Sequence, residues 1–490
     1  MSEASNVVGE GTYGCVHKPP LNCEGENIPT SNKVTKLMKD GEAKKELKEY
    51  QIMKKVDPKD KYYLGTPKSC KVDINAYNKR SADKCRRLKS GDRSIIDNLS
   101  KYTLLVMEDG GDNLEDYSKK SAAWSLNDRV TGLERFWLEA HRAFMGVKAF
   151  LDHGVIHHDL KPQNIVYDGE RVNFIDFGLM KKKRVVVKEA AKSGYGLSQF
   201  HWSFPLECKF LDRNTYDRYA KLSEKEKHDY IKNIANSLKG GDYIGSAEVI
   251  QNFLYYATNK TGLVLNQEKV TGKILRHFSE TILHIITPGD TAYNTLVDKC
   301  LDTIDVYGLG LGLLNVVRNT YKLMNTKLTD DLSNLFLDMT DANVMERVYI
   351  DTAIERYERI LEKHKILKRF NMHFKDHELI DGSIMPQALE KKIEEVSVKV
   401  EVPSPKEIKE MLKEDPEALE PIPKDEQDLI VKAPSAVGSR KHSGKECPEG
   451  KERHPRTRRC VKKCKAGETR NDKFECRKTQ RKWKKRKADL

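Results

Sequence analysis

The hydrophobic positions along this chain change period once. Near the N-terminus, Val7–Val16, Lys33–Met38 and Tyr102–Asp109 alternate or run in short apolar blocks between turn residues, as strands do. Beyond them the spacing becomes helical. Glu42–Val56 carries Leu47, Tyr50 and Met53 on successive turns and stops at Asp57-Pro58, and Leu133–Leu151 carries Phe136, Ala140, Phe144, Val147 and Leu151. From Glu207 to Asp305 is a step of 98 positions, with apolar stripes at Ile250, Phe253, Ile274, Phe278 and Ile282, which predict a folded helical insertion over about 208–300. Helical spacing continues to about Lys368. From Ser383 to Gly444, Pro403, Pro405, Pro416, Pro421, Pro423 and Pro434 stand among Lys and Glu, the composition of a linker. A small strand-rich part followed by a larger helical part predicts an α+β fold.

Composition changes the picture at the two ends. With 490 residues, 38% hydrophobic and 33% charged, the chain suits a soluble globular protein of two to four domains with polar appendages. No run approaches the apolar length of a membrane span, and Met1–Val8 lacks the regions of a signal peptide, so a cytosolic or nuclear, unsecreted protein with no membrane contact is expected. Residues 440–490 hold 21 Lys or Arg against 7 Asp or Glu, which is the whole net charge of +14; elsewhere 67 basic and 67 acidic residues balance. The tail's Cys447, Cys460, Cys464 and Cys476 are separated by 12, 3 and 11 residues and leave disulfides, zinc with His454, or free thiols open. The six other cysteines look scattered, as in a cytosolic enzyme. The cluster Arg477–Lys487 with Trp483 suits nucleic acid or an acidic protein partner; it also suits a plain solvating tail.

Candidate chemistry concentrates in Gly154–Gly178, GVIHHDLKPQNIVYDGERVNFIDFG. Ile165-Val166 and Val172–Ile175 read as strands joined at Asp168-Gly169, and that hairpin returns Asp176 beside Asn164. Two hard oxygen donors meet there, as Mg²⁺ prefers. Asp159 is placed to accept a hydroxyl proton, and Lys161 projects to the same side, toward a transferring phosphate. Far upstream, VVGEGTYGCV matches G-x-G-x-x-G-x-V with Gly9, Gly11, Gly14 and Val16. Glycines there let backbone N–H groups approach phosphates. The motif runs on into a strand and a Pro19-Pro20 break, so it does not open a helix as a dinucleotide fold requires.

HHDLKPQN followed by IDFG resembles the catalytic and metal-binding loops of eukaryotic-type Ser/Thr protein kinases. The resemblance spans Val7 to Arg347, with long insertions. It implies a bilobal kinase-like fold, with an N-lobe at about 1–109 and a C-lobe at about 110–375. A linker at 376–444 and a Cys-rich tail module at 445–490 complete the chain. It implies ATP with Mg²⁺ or Mn²⁺, protein hydroxyls as acceptors, Asp159 and Lys161 as catalytic residues, and Asn164 and Asp176 on the metal. ATP contacts would come from Val8, Gly9, Gly11, Gly14, Val16, Lys36, Glu49, Met107, Glu108 and Gly110. Lys33 and Lys39 are rivals to Lys36, and Glu46 is the fallback for Glu49 as its ion partner. Glu207 with Arg347, and Asp305 in TIDVYGLG, would support the loop from below. One departure stands out: His158 replaces the Arg that usually precedes the catalytic Asp. In the family that Arg often pairs with a phosphorylated activation loop, so activity independent of phosphorylation at Ser193, Ser198 or Ser203 is expected. CPEGKERHPRTRRCVKKC resembles Cys-rich repeats of nucleocytoplasmic large DNA viruses, as the kinase motifs resemble that group's divergent kinases. This implies a viral origin, with host cytoplasm, virion or nucleus as the location. A kinase-like scaffold with weak phosphotransfer, and a nucleic-acid-associated protein, are the alternatives.

Overall fold

The computed structural model describes residues 6–381, except 12, 87, 89–94, 126–127, 193–200, 260–261 and 263–264, and four strands between 451 and 478. Two units result, Met1–Lys392 and Ile393–Leu490.

The first unit begins with strands β1 (Asn6–Gly11), β2 (Gly14–Lys18), β3 (Lys33–Lys39), β4 (Lys68–Lys71) and β5 (Tyr102–Glu108). They form one antiparallel sheet in the order β1-β2-β3-β5-β4. Helix α1 (Asp40–Val56) starts directly from β3, with Asp40 and Glu42 at its positive end and Lys54 and Lys55 at its negative end. It packs back on β3 and β5 through Ala43 and Leu47 against Met38 and Leu105, and through Tyr50 against Met107. The sheet's other face is also covered. Helix α2 (Ala76–Ala82) and the turn Ile95–Lys101 bring Ala82, Cys85, Leu88, Ile95 and Leu99 onto Cys15, Leu37 and Leu104, a second core separate from the main one.

That outer layer corrects the expectation of scattered thiols. Cys15 is bonded to Cys85, which ties β2 to the layer above, and Cys23 to Cys70, which ties the loop after β2 to the edge strand β4. Sequence separations of 70 and 47 residues concealed the pairs from spacing arguments. Cys208 and Cys300 are free thiols with their sulfurs 3.7 Å apart.

The remainder is mainly helical. Short strand β6 (Asp112–Asn113) leads into α3 (Leu114–Ser121), which Asn113 caps by accepting from Asp116 N. Helix α4 (Arg135–Asp152) has the expected stripe, with Phe136, Ala140, Phe144 and Val147 buried. Then come β7 (Val155–Ile156), β8 (Ile165–Tyr167) and β9 (Val172–Phe174), the last two an antiparallel hairpin as the sequence predicts. Strand β10 (Lys181–Lys182) pairs with β7 and runs into α5 (Lys183–Ala191). Next come α6 (Arg213–Ala220), α7 (Glu224–Gly240), α8 (Ser246–Ala257) and α9 (Gln267–Glu280). Ile250, Phe253, Ile274, Phe278 and Ile282 are all buried in the main core, so these helices share it.

Helix α10 (Asp290–Thr320) is the axis of this part, with α3, α8, α11 (Thr326–Met339) and α4 packed around it. The expected insertion boundary at 300 falls inside α10. Asp290–Leu323 is also long and apolar enough to cross a membrane, contrary to expectation; 94% of its most apolar window is buried within the protein, as a core helix is. Helices α12 (Ile350–Lys363) and α13 (Ile366–Arg369) come after α11. Hairpin β11 (Met372–Lys375) and β12 (Glu378–Asp381) closes the unit, so the expected linker start at 376 divides a hairpin.

In the second unit Lys451–Arg453 pairs with Cys460–Lys462, and Glu468–Arg470 with Cys476–Lys478. Cys447, His454, Cys464, the proline-rich stretch and nearly all of the Trp483 cluster lie outside the described residues.

The disulfides yield a stability prediction. Closing loops this long removes chain entropy worth roughly 2–4 kcal/mol per bridge. Cys85→Ser should therefore lower the melting temperature under non-reducing conditions, and dithiothreitol, which opens both bridges, should lower wild type further than the single substitution does. Equal melting of wild type with and without reductant would exclude the bridges.

Candidate functional site

The glycine hairpin β1–β2, the β3–α1 pair and the loops around β8–β9 enclose one cleft of about 1890 Å³. Val8, Gly9, Gly11, Gly14, Val16, Lys36, Met107, Glu108 and Gly110 line it from the sheet side. Asp159, Lys161, Asn164 and Asp176 line it from the helical side. Gly14 is required by close approach: a Cβ there would lie 2.7 Å from the Leu37 carbonyl oxygen.

Lys36 is the organising cation. Its Nζ lies 2.7 Å from Glu46 Oε2 and 3.5 Å from Asp176 Oδ1. Burial alone would pull the ammonium down, but the Asp176 and Glu46 carboxylates overcome it and hold Lys36 above its ordinary value. The Lys36 cation in turn holds Asp176 below the usual carboxylate range. Lys33 is instead paired with Glu108, and Lys39 lies exposed at the end of β3.

The pairing of Lys36 with Glu49 is corrected: its partner is Glu46. On α1 the buried positions are Ala43, Glu46, Tyr50, Met53 and Val56, spaced three or four apart, so Glu46 is the charged residue on the inward stripe. Glu49 sits one step round the helix, half-buried, and does not line the cleft. Burial, with Glu46 nearby, pushes its carboxyl up to about 7. A carboxylate interrupting an apolar stripe was the signal available in the sequence.

Across the cleft Asp159 is held by two donors. Lys161 Nζ lies 2.7 Å from its Oδ2, and Asn164 Nδ2 donates to the same oxygen at 3.0 Å and to the Asp159 carbonyl at 2.8 Å. The β8–β9 hairpin joins these to Asp176, since Ile175 N donates to Asn164 O at 3.1 Å. His158 and Asp176 both take positive φ, 73° and 61°, a backbone state that non-glycine residues hold only where their surroundings impose it.

Support comes from α10. Asp305, buried, accepts from His157 N at 2.7 Å and His158 N at 2.8 Å, one amide per carboxylate oxygen. Gly308, one turn on, meets the loop so closely that a Cβ would lie 2.3 Å from Leu160 O. Glu207 and Arg347 form a bidentate pair of 2.6 and 3.0 Å with both side chains fully buried. Arg347 Nη2 and Nε also donate to Asp341 O.

Asn164 and Asp176 are the oxygen donors that could hold a metal. Among the described residues no group of three His, Cys, Asp or Glu side chains forms a ready metal site. Two protein oxygens nonetheless fit an ion such as Mg²⁺, which keeps water and phosphate oxygens as its other ligands. Asp176 is 42% exposed, so its carboxylate is open to the cleft.

No family model matches the chain. Over 92 residues it is 30% identical to "Putative serine/threonine-protein kinase 040L" of Invertebrate iridescent virus 3, covering 16% of this chain and 26% of that protein. The chain thus spans about a quarter of that curated relative's length, and the match supports a kinase-like relationship.

Two measurements test this geometry. In Glu46→Gln, Lys36 loses a carboxylate, its pKa falls, and an amine-reactive probe should label it faster at fixed pH; Glu49→Gln should leave the rate unchanged. Equal acceleration by both variants would contradict the assigned pair. Glu207→Gln strands the buried Arg347 charge and should destabilise the protein by about 3–5 kcal/mol, whereas the double variant Glu207→Leu with Arg347→Met should lose much less.

Proposed function

We propose that the protein is a serine/threonine protein kinase of bilobal fold that uses ATP with Mg²⁺ or Mn²⁺. The observation carrying this reading is that Lys36 and Glu46 face Asp159, Lys161, Asn164 and Asp176 across one cleft beneath a glycine hairpin. Phosphoryl transfer needs placement and charge neutralisation more than covalent help, and this set supplies both.

In the proposed reaction Lys36, fixed by Glu46, binds the α- and β-phosphates, while the β1–β2 amides cover the phosphates from above. Asn164 and Asp176 would hold the divalent ion, which would supply neutralisation of charge on the phosphate oxygens. Asp159, oriented by Asn164, takes the acceptor's hydroxyl proton as the hydroxyl oxygen bonds the γ-phosphorus and ADP departs. Lys161 exchanges Asp159 for the transferring phosphate. Adenine would lie between Val16 and Val34 above and Val166 below, with the backbone of Glu108 and Gly110 at its edge.

His158 supports independence from activation-segment phosphorylation. Burial, with Lys181 nearby, pushes its imidazole down to about 3, and the neutral ring stacks on Phe204 at 5.5 Å and 8°. It therefore offers no cation to a phosphate. Ser203 is 2% exposed and hydrogen-bonded to His201 Nδ1; Ser193 and Ser198 lie outside the described residues. We further propose that the basic tail, residues 440–490, holds a polyanionic partner with strongly salt-dependent affinity.

The test is transfer from labelled ATP with Mg²⁺ to a generic basic protein, followed by phosphoamino-acid analysis. Phosphoserine or phosphothreonine is expected, falling roughly 10²–10⁴-fold in Asp159→Ala and persisting without residues 440–490. No transfer by wild type, or equal transfer by Asp159→Ala, would overturn the kinase reading.

A further inference from the structure

We propose that the Cys23–Cys70 bridge is a thiol–disulfide exchange site, opened in the folded protein by a dithiol, and that its state sets how firmly the strand end at Glu108 and Asp109 is held for a nucleotide. The exchange stands by itself. Its effect on nucleotide rests on the kinase reading and deepens it.

The described cysteines of the first unit form three pairs that differ in access. Cys15 and Cys85 are both fully buried in the core of the outer layer. Cys208 and Cys300 remain buried thiols although their sulfurs are 3.7 Å apart. Cys23 is also buried, but its partner Cys70 is half-buried on β4, the edge strand of the sheet. Exchange requires a thiolate to reach one sulfur of the bond that breaks, so access ranks the bridges. Cys70 offers that sulfur. The incoming thiolate bonds Cys70 Sγ, the S–S bond breaks, and Cys23 leaves as a thiolate that takes a proton. The dithiol's second sulfur then displaces Cys70 from the mixed disulfide. Two electrons and two protons have passed to the protein, and the dithiol has closed into a disulfide.

Opening this bridge loosens a segment without undocking it. Residues 19–32, between β2 and β3, are also held by hydrogen bonds. Leu21 N donates to Thr35 Oγ1 at 2.8 Å, Asn22 N to Asn78 Oδ1 at 3.0 Å, and Glu24 N to Lys71 O at 2.9 Å. What the segment loses is its covalent tether, and with it some order. Both of its ends grip the end of β5. Lys18 pairs with Asp109, Lys33 pairs with Glu108, and Asp109 N donates to Asn32 O at 3.0 Å. The strands that the segment joins carry Val16 and Val34 into the cleft. A closed tether therefore preorganises the backbone assigned to the adenine edge, whereas with the tether open, ordering it draws on the free energy of binding.

The test uses the non-reduced full chain below its melting transition. Dithiothreitol is added in steps, each sample is alkylated with N-ethylmaleimide, and the labelled peptides are mapped by mass. Cys23 and Cys70 should become labelled at least about tenfold faster than Cys15 and Cys85, which should react only once the protein unfolds. Affinity for a fluorescent ATP analogue with Mg²⁺ is read on the same samples. The form reduced at Cys23 and Cys70 should bind it at least about threefold more weakly. The double variant Cys23→Ser with Cys70→Ser should bind as weakly and ignore the reductant. Labelling of Cys70 before any reductant, a bridge that resists dithiothreitol in the folded protein, or labelling of Cys15 and Cys85 in step with Cys70 would overturn the exchange site. Equal affinity before and after reduction confined to Cys23 and Cys70 would overturn the coupling. If the double variant does not fold, the wild-type titration decides alone. Absence of nucleotide binding in both forms would strike the kinase reading and the coupling with it, while the labelling order still judges the exchange site.

Discussion

The arrangement depends on one buried carboxylate. Asp305 sits on the central helix with no solvent to stabilise its charge; burial pushes its pKa up, and the His157 and His158 amides are what it receives in place of water. The exchange has a geometric consequence. Two consecutive N–H groups address the two oxygens of this one carboxylate, and directly after them the chain turns through the positive φ of His158. Asp159 is thereby projected into the cleft, and the contact of Gly308 with Leu160 leaves no room for the loop to sink further. The strained residue and the side-chain-free one are two parts of a single constraint.

The cation at the opposite wall obeys a complementary logic. Lys36 is kept charged by two carboxylates from different elements, Glu46 on α1 and Asp176 beyond β9. It therefore reports whether the helix and the hairpin are in register. Phe177, next to Asp176, packs edge-on against Tyr50 of α1 at 5.4 Å and also contacts Tyr63 and His157. Ionic and aromatic contacts converge on the same pair of elements, so displacing α1 would break both together.

Legibility in the sequence tracked the range of the interaction. Asp159, Lys161, Asn164 and Asp176 lie within eighteen residues, and local hairpin chemistry was enough to bring them together. Glu207 with Arg347, 140 residues apart, was found because motif order supplied the long-range link that spacing does not. The Lys36 partner lies three positions before the Glu that the motif predicts, because Glu46 and not Glu49 is on the apolar stripe. The disulfides, and the burial of the insertion stripes in the main core, were beyond the sequence: each depends on tertiary placement of segments whose local patterns are ordinary.

The covered sheet changes what the glycine hairpin can do. A flap over phosphates gains from flexibility, which its glycines provide, yet its second strand carries Cys15, fully buried and bonded to Cys85. Strand β2 is thus anchored to the outer layer, while β1 lies at the sheet's edge with Val8 52% exposed. Of the two strands, the freer one is β1. In the proposed kinase, closure over a nucleotide would be bending of one edge strand against a fixed neighbour, so less conformational entropy would be lost on binding than with a hairpin free along both strands. The outer layer built from the segment between α1 and β5 is in this sense part of the site, although among the described residues from α2 to Lys101 none lines the cleft.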